Sequence, residues 1–256
     1  MMDGRLRTLS HPPPPLLPGY GMTETSPLTH IDPIDLPVKA GSVGPPVPGT
    51  ECRVADVSSP VALAAVARGA PRLLAPGKEN VGELQIRGPQ VMMGYHNAPA
   101  ATSDTLLPGG WLRTGDLAYY DAEGSFFIVD RLKELIKVKG LQVAPAELEG
   151  VLLGHPLIYD AAVVSRPDSR AGERPVAFVV PRAALLRSLG RAAEADALPP
   201  LTVEDVKGHV AGTLAEYKHL AEVTFMEVGG IPKSASGKIL RRVLRDRVHA
   251  EAAGRT

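Results

Sequence analysis

The 256-residue sequence holds a single cysteine, Cys52, so it cannot build a disulfide framework or a cysteine-based zinc site; a lone thiol suits a reducing compartment. Aromatic residues are scarce, at 4%. Neither charge is in excess, since 28 Lys and Arg balance 28 Asp and Glu. That balance excludes a general nucleic-acid or anionic-membrane binder, whose footprint is an overall basic surplus, and any polyanion has to be met by local groups. The longest wholly apolar stretch is of the kind at 61–67, far below the ~18 residues of a membrane span, and no apolar signal core opens the chain. The last three residues are not a peroxisomal Ser-Lys-Leu tripeptide. These absences predict a cytoplasmic protein with no membrane span and no nucleic-acid partner.

Turn formers are plentiful, with 26 Gly and 25 Pro, which predicts many short elements joined by tight turns. Residues 1–18 begin basic and continue through Pro12-Pro13-Pro14-Pro15 and Pro18, the composition of a disordered Pro-rich leader. Between 41 and 130, β-like runs at 50–54, 82–87, 111–119 and 125–129 alternate with Gly and Pro pairs, predicting a β-rich unit. Residues 58–77 interrupt it and read as a surface excursion with one helical turn. Beyond Arg131 helix and strand patterns alternate, predicting a second, α/β unit. Its expected elements are a helix from Pro145 to Leu153, strands at 160–165 and 174–180, and a helical insertion at 185–198. A helix N-capped by Thr202 and running to about Leu220, a strand at 223–228 and a final helix from Ile239 follow. In that last helix Leu240, Val243, Leu244 and Val248 recur at helical spacing.

Several mechanisms are excluded by spacing. The segment ending Gly237-Lys238 has Pro at 232 and Ile at 239, where a P-loop needs Gly and Ser or Thr. Position 24, where a dinucleotide fingerprint starting at Gly19 needs Gly, is Glu. The seven histidines form no HxxxH or HExxH pair, and no serine sits in a GxSxG elbow.

Four polar clusters remain: Gly19-Tyr20-Gly21-Met22-Thr23-Glu24-Thr25, then Trp111-Leu112-Arg113-Thr114-Gly115-Asp116. The others are Asp130-Arg131-Leu132-Lys133-Glu134-Leu135-Ile136-Lys137-Val138-Lys139-Gly140 and Pro232-Lys233-Ser234-Ala235-Ser236-Gly237-Lys238. Read one at a time they are a surface turn, a strand cap, an alternating Lys-rich edge strand and a basic helix face. Taken together, in this order, they resemble the adenylate-forming superfamily, and Gln142-Val143-Ala144-Pro145-Ala146-Glu147-Leu148-Glu149 is most similar to its 4-coumarate-CoA ligase and luciferase branch. The resemblance runs from about Gly19 to Arg245.

It implies an α/β (α+β) fold: 19–130 as the β-rich end of the large AMP-binding domain and 131–256 as its small, mobile α/β C-terminal domain. It implies a two-step reaction using ATP, Mg2+ and coenzyme A, in which a small carboxylic acid becomes an acyl-adenylate and then a thioester. Gly19 and Gly21 are expected in a tight turn that offers the Tyr20 ring to adenine. Gly19, Tyr20, Gly21, Met22, Thr23, Thr114, Asp116 and Arg131 form the implied nucleotide set. Asp116, an acceptor with two oxygens, suits both hydroxyls of a ribose, and the Arg131 fork completes that contact. Thr23 faces a phosphate oxygen, and Glu24 is a hard-oxygen ligand for Mg2+. Lys238 matches the adenylation lysine, Lys137 and Gln142 the thioester-forming groups, and Lys139-Gly140 the stretch beside the CoA tunnel; Asp130 and Lys133 match the hinge. Members of the family are about twice this length. Their upstream half carries a Ser/Thr/Gly-rich loop for the β- and γ-phosphates and most of the acyl pocket, neither of which has a substitute here. The expectation is therefore an N-terminally truncated ligase, its missing half supplied in cis or in trans, with a non-catalytic nucleotide- or CoA-binding fragment as the alternative.

Overall fold

A computed structural model describes residues 17–253 apart from 36 and 236. The expected leader at 1–18 therefore lies outside the described residues except for Leu17 and Pro18. Contacts divide the chain into two units, Met1–Ile128 and Val129–Thr256.

The first unit is mostly sheet. Its elements are β1 (Gly19–Gly21), β2 (Leu28–Ile31), β3 (Glu51–Ala55), α1 (Pro60–Ala67), β4 (Gly82–Arg87), α2 (Pro99–Thr105), β5 (Leu106–Leu107), β6 (Trp111–Tyr120) and β7 (Phe126–Arg131). Antiparallel β1 and β2 form a two-stranded ribbon, while β3-β4-β6-β5, with β7 on β6, form a five-stranded sheet. The period of two along these strands sends Val54, Leu84, Ile86 and Ala118 to one buried face, where they meet Phe126 and the half-buried Tyr20. Glu83 and Gln85 alternate with them and are also buried. Their burial is sustained by polar partners, because Arg113 Nε donates to Glu83 Oε2 at 3.1 Å and Arg53 Nε to Gln85 Oε1 at 2.8 Å.

The stretch 58–77 lies at the surface, as expected, but its helix is longer than the single turn expected. Ser59 Oγ caps α1 by accepting from Ala62 N at 3.1 Å, Pro60 occupies the first turn, and the helix makes two turns that bury Val66 completely. Leu74 N then donates to Val54 O and Asp56 N to Arg72 O, so backbone hydrogen bonding stitches the excursion to β3.

The second unit contains β8 (Ile136–Val138), β9 (Leu141–Val143), α3 (Pro145–Leu153), β10 (Ile158–Asp168), β11 (Gly172–Pro181), α4 (Arg182–Ser188), α5 (Ala192–Asp196), α6 (Val203–Ala211), β12 (Glu222–Phe225) and α7 (Arg241–Ala253). Its sheet order is β10-β11-β8-β9, with β12 parallel to β11. Ala161, Val163, Ala177 and Val179 pack beneath Leu148, Leu152, Val206 and Val210 of α3 and α6. The alternate residues Ala162, Val164, Val176 and Phe178 pack beneath Leu244 and Val248 of α7. A sheet covered on both faces needs near-continuous apolar strands, which is the composition of β10 and β11.

Three expectations are corrected here. The helix after Thr202 keeps its predicted cap, a capping box with Asp205, but ends at Ala211 before Gly212 instead of reaching Leu220. The insertion is two short helices, with Gly190 at φ +74° between them. The final helix starts at Arg241, and of its apolar stripe only Leu244 and Val248 are buried, Leu240 and Val243 being exposed.

Candidate active site

In the first unit β1 is an extended strand, not the expected turn; the turn comes after it. Thr23–Thr25 make one 3-10 turn, and Ser26 adopts φ 56°. Thr25, fully buried, braces it: Oγ1 donates to Met22 O and Pro27 O, both at 2.9 Å, and accepts from Met22 N at 3.2 Å. Gly21 is required for close approach, because a Cβ there would lie 1.7 Å from Pro27 O. The turn leaves Thr23 exposed and Glu24 half-buried.

Tyr20 lies opposite His30 in the β1–β2 register, and its ring meets that imidazole edge-on with centroids 5.6 Å apart. Its hydroxyl donates to Asp116 Oδ2 at 2.6 Å, so two of the four sequence clusters meet side chain to side chain. Asp116 reaches that position through a bulge: Glu83 pairs with Leu117 but Gln85 with Arg113, so β6 holds two extra residues there. Thr114 Oγ1 donates to Leu84 O at 2.7 Å and accepts from Asp116 N at 3.0 Å, and Gly115 takes φ +71°. The bulge turns the Asp116 carboxylate toward Tyr20.

Three supporting residues escaped the sequence reading. Tyr95 Oη donates to Glu24 Oε1 at 2.8 Å, and Met92 N donates to Glu24 O. The Glu24 hydrogen bond in turn holds the Tyr95 hydroxyl above its ordinary pKa. His30 is completely buried among Tyr20, Phe126, Thr29 and Cys52, and burial lowers its pKa to about 4. The same surroundings push the Cys52 thiol up to about 12. Nothing in single-sequence spacing marks a histidine ten residues beyond a tyrosine as its strand partner.

In the second unit Lys137 and Gln142 are direct partners across the β8–β9 hairpin, both exposed, while Ile136 and Val143 point to the core. Lys139 and Gly140 form its two-residue turn, at φ 51° and 82°. Lys139 is thus a turn residue and not, as its alternation suggested, a member of the strand face; the sheet edge is β9, not β8. Asp130 is buried. Its Oδ2 accepts from Ala146 N at 2.9 Å, capping the start of α3, and its Oδ1 accepts from Arg131 N at 2.7 Å. Burial raises its pKa against the pull of those amides. Arg131 and Lys133 are exposed, the latter within a 3-10 turn at Leu132–Glu134.

Lys238 closes a small loop in which Ser234 N donates to Lys238 O and Lys238 N to Ser234 Oγ, with Lys233 bridged to Ile239. Ser236 of that cluster lies outside the described residues. Lys233 Nζ bonds Asp160 at 2.6 Å, and Asp160 pairs with Val180 near one end of β11; Val138 pairs with Gly172 at the other end. Eight strand residues at about 3.3 Å each put roughly 26 Å between these anchor points. Lys137 and Lys238 are both exposed. Arg241 does not belong to a basic outer face, since it is inward, between Glu134 and Glu149.

Among the described residues no three His, Cys, Asp or Glu groups converge as a metal cage. Mg2+ does not need such a cage, since it takes one or two carboxylates, such as that of Glu24, and otherwise water and substrate phosphates. No described helix is long and apolar enough to cross a membrane.

The mixed α/β fold that carries these clusters matches that of adenylate-forming enzymes. The AMP-binding enzyme profile matches residues 4–96 and the AMP-binding enzyme C-terminal domain profile residues 147–238; the chain belongs to that family. Within it the chain is similar to 4-coumarate--CoA ligase 2 of Oryza sativa subsp. japonica, at 45% identity over 91% of this chain and 36% of the relative. For 4-coumarate:CoA ligase 1 of Petunia hybrida the figures are 45%, 91% and 38%. Among solved structures, ATP-bound MatB from Rhodopseudomonas palustris superposes with a TM-score of 0.75 at 28% identity, covering 91% of this chain and 40% of that one. The o-succinylbenzoate CoA synthetase of Bacillus subtilis with its acyl-adenylate intermediate gives 0.71 at 30%, covering 91% and 41%. The chain thus spans well under half the length of the relatives it matches.

Proposed function

We propose that the chain is the C-terminal part of an AMP-forming carboxylate-CoA ligase of the 4-coumarate-CoA ligase type, acting in the cytoplasm on a small carboxylic acid. Residues 19–130 are the end of its large nucleotide domain and 131–256 its small mobile domain. The Tyr20 ring faces adenine, Asp116 accepts from the ribose hydroxyls, Arg131 completes that contact and Thr23 donates to a phosphate oxygen. Met22 and the two glycines hold the strand that carries them. Glu24 holds Mg2+, which when bound neutralises phosphate charge. The acid's carboxylate oxygen attacks the α-phosphorus and the bond to pyrophosphate breaks, while the Lys238 ammonium meets the charge that develops there. The thiol of coenzyme A then attacks the acyl carbon and AMP leaves; Lys137 and Gln142 serve this half, beside Lys139 and Gly140. Lys137 on the β8–β9 hairpin and Lys238 in the loop before α7 are presented by separate elements of one small domain, which supports alternation about Asp130 and Lys133.

The hydrogen bond from Tyr20 to Asp116, joining clusters 96 residues apart, is the observation that carries this reading. Calorimetric titration of the chain with AMP tests it: binding is expected, and its absence overturns the reading. Pyrophosphate release with a panel of aryl and fatty acids is expected to be absent from the chain by itself, because the phosphate-cradling loop has no counterpart in it, and to appear when the upstream half of a relative is added in trans. AMP binding with no release even then favours the non-catalytic alternative, which the partial coverage of every reported relative supports.

A further inference from the structure

Arg241 is the first residue of α7, only 15% of its side chain is exposed, and nothing above gives it a task. Its Nη1 donates to Glu134 at 2.7 Å and its Nη2 to Glu149 at 2.5 Å. Glu134 directly follows Lys133 in the 3-10 turn. Glu149 is a buried residue of α3 whose other oxygen accepts from Val163 N of β10 at 2.8 Å. Asp130, four residues before Glu134, caps α3 at Ala146. Segment 130–134 is therefore tied to α3 twice, once directly and once through Arg241, and only Arg131, Leu132 and Lys133 lie between the ties.

On its other side Arg241 follows Lys238 by three residues, and that connection has little slack. Leu240 N donates to Pro232 O, Ser234 N to Lys238 O, and Lys233 pairs with Ile239. A planar guanidinium is suited to this place because its fork can hold two carboxylates from different elements in fixed directions, which a single ammonium cannot do.

We infer that Arg241 is a positioning residue that couples segment 130–134 to the Lys238 loop, so that loosening the segment at Glu134 loosens the loop as well. The consequence for catalysis rests on the ligase reading; the mechanical coupling does not, and it is measured without nucleotide. Hydrogen exchange of the 256-residue chain is compared with that of Glu134→Ala and Arg241→Lys. Glu134→Ala is the sharper variant, since it removes the acceptor and so releases one arm, yet keeps Arg241 on Glu149 and leaves no buried acid unpaired. Exchange at 131–135 and at 237–240 is expected to rise together by about tenfold, with α3 and β10 unchanged and trypsin cleavage after Lys133 rising in parallel. Faster exchange confined to 131–135, no change at either segment, or loss of protection throughout α3 and β10 would each overturn the coupling. Failure of the AMP titration with these exchange changes intact refutes the ligase reading alone.

Discussion

In the first unit Tyr20, Asp116 and Glu24 each meet another side chain, through Tyr20–Asp116 and Tyr95–Glu24. In the second, Lys137, Lys139 and Lys238 carry exposed side chains to a strand face, a turn and a loop. The backbone differs likewise: a bulge and a braced 3-10 turn aim the first set, whereas a two-residue hairpin and a Ser/Gly loop hold out the second. Groups that recognise one fixed shape gain from being held in advance, because ordering them at binding would cost affinity. Groups needed at one stage and not at another gain from being presented without commitments.

The comparison breaks most visibly with pH. His30 is held neutral beneath Tyr20 with its pKa lowered to about 4, so the folded state binds fewer protons than the unfolded between that value and 6.5. Its contribution is present above pH 6.5 and is lost as pH falls through about 4, amounting to at most about 3 kcal/mol. Urea midpoints of the first unit measured across that window should show the slope, and His30→Leu should abolish it; an equal slope in the variant places the acid sensitivity elsewhere. Next in size, Asp116→Ala should weaken AMP binding roughly 100-fold, about 2.7 kcal/mol, as expected for lost hydrogen bonds to a charged group. Lys238→Ala should change AMP affinity by less than about threefold. Similar losses from both would erase the distinction between the units. Thr114→Val removes two hydrogen bonds of the bulge and should cost about 1–2 kcal/mol in thermal or urea unfolding, with weaker AMP binding following from a misdirected Asp116. Smallest of all, Lys137→Ala and Lys238→Ala should shift stability by less than about 0.5 kcal/mol, which melting curves can check. In a longer chain that carries the activity, each should slow a different half-reaction by roughly 10²–10³ in rapid quench.

Elements whose ends carry strong local signals were legible in the sequence. Pro145 opens α3, which ends before Pro156, and the 82–87 run is β4. Where a boundary depends on packing the reading slipped. Leu240 and Val243 continue the helical spacing of α7, yet they face solvent because that sheet face is already filled by Leu244, Val248, Phe178 and Ile231. The second turn of α1 was hidden because an Ala-rich run has almost no amphipathic contrast, and only contact with the core makes Val66 an interior residue.

Local sequence by itself determined the clusters, the Thr202 cap and the Pro145 helix start, because each depends on a few neighbouring residues: a hydroxyl within reach of an amide, a ring that fixes φ. Only the tertiary structure decided which clusters meet. The bond between Tyr20 and Asp116, the Tyr95 grip on Glu24 and the Arg241 link from Glu134 to Glu149 join residues 96, 71, 107 and 92 positions apart. Such pairings have no periodicity to read. The Tyr20–Asp116 bond follows from strand register and from two extra residues in β6, where a shift of a single residue would turn either side chain to the opposite face, whereas the other links join turns, loops and helices that packing brings together.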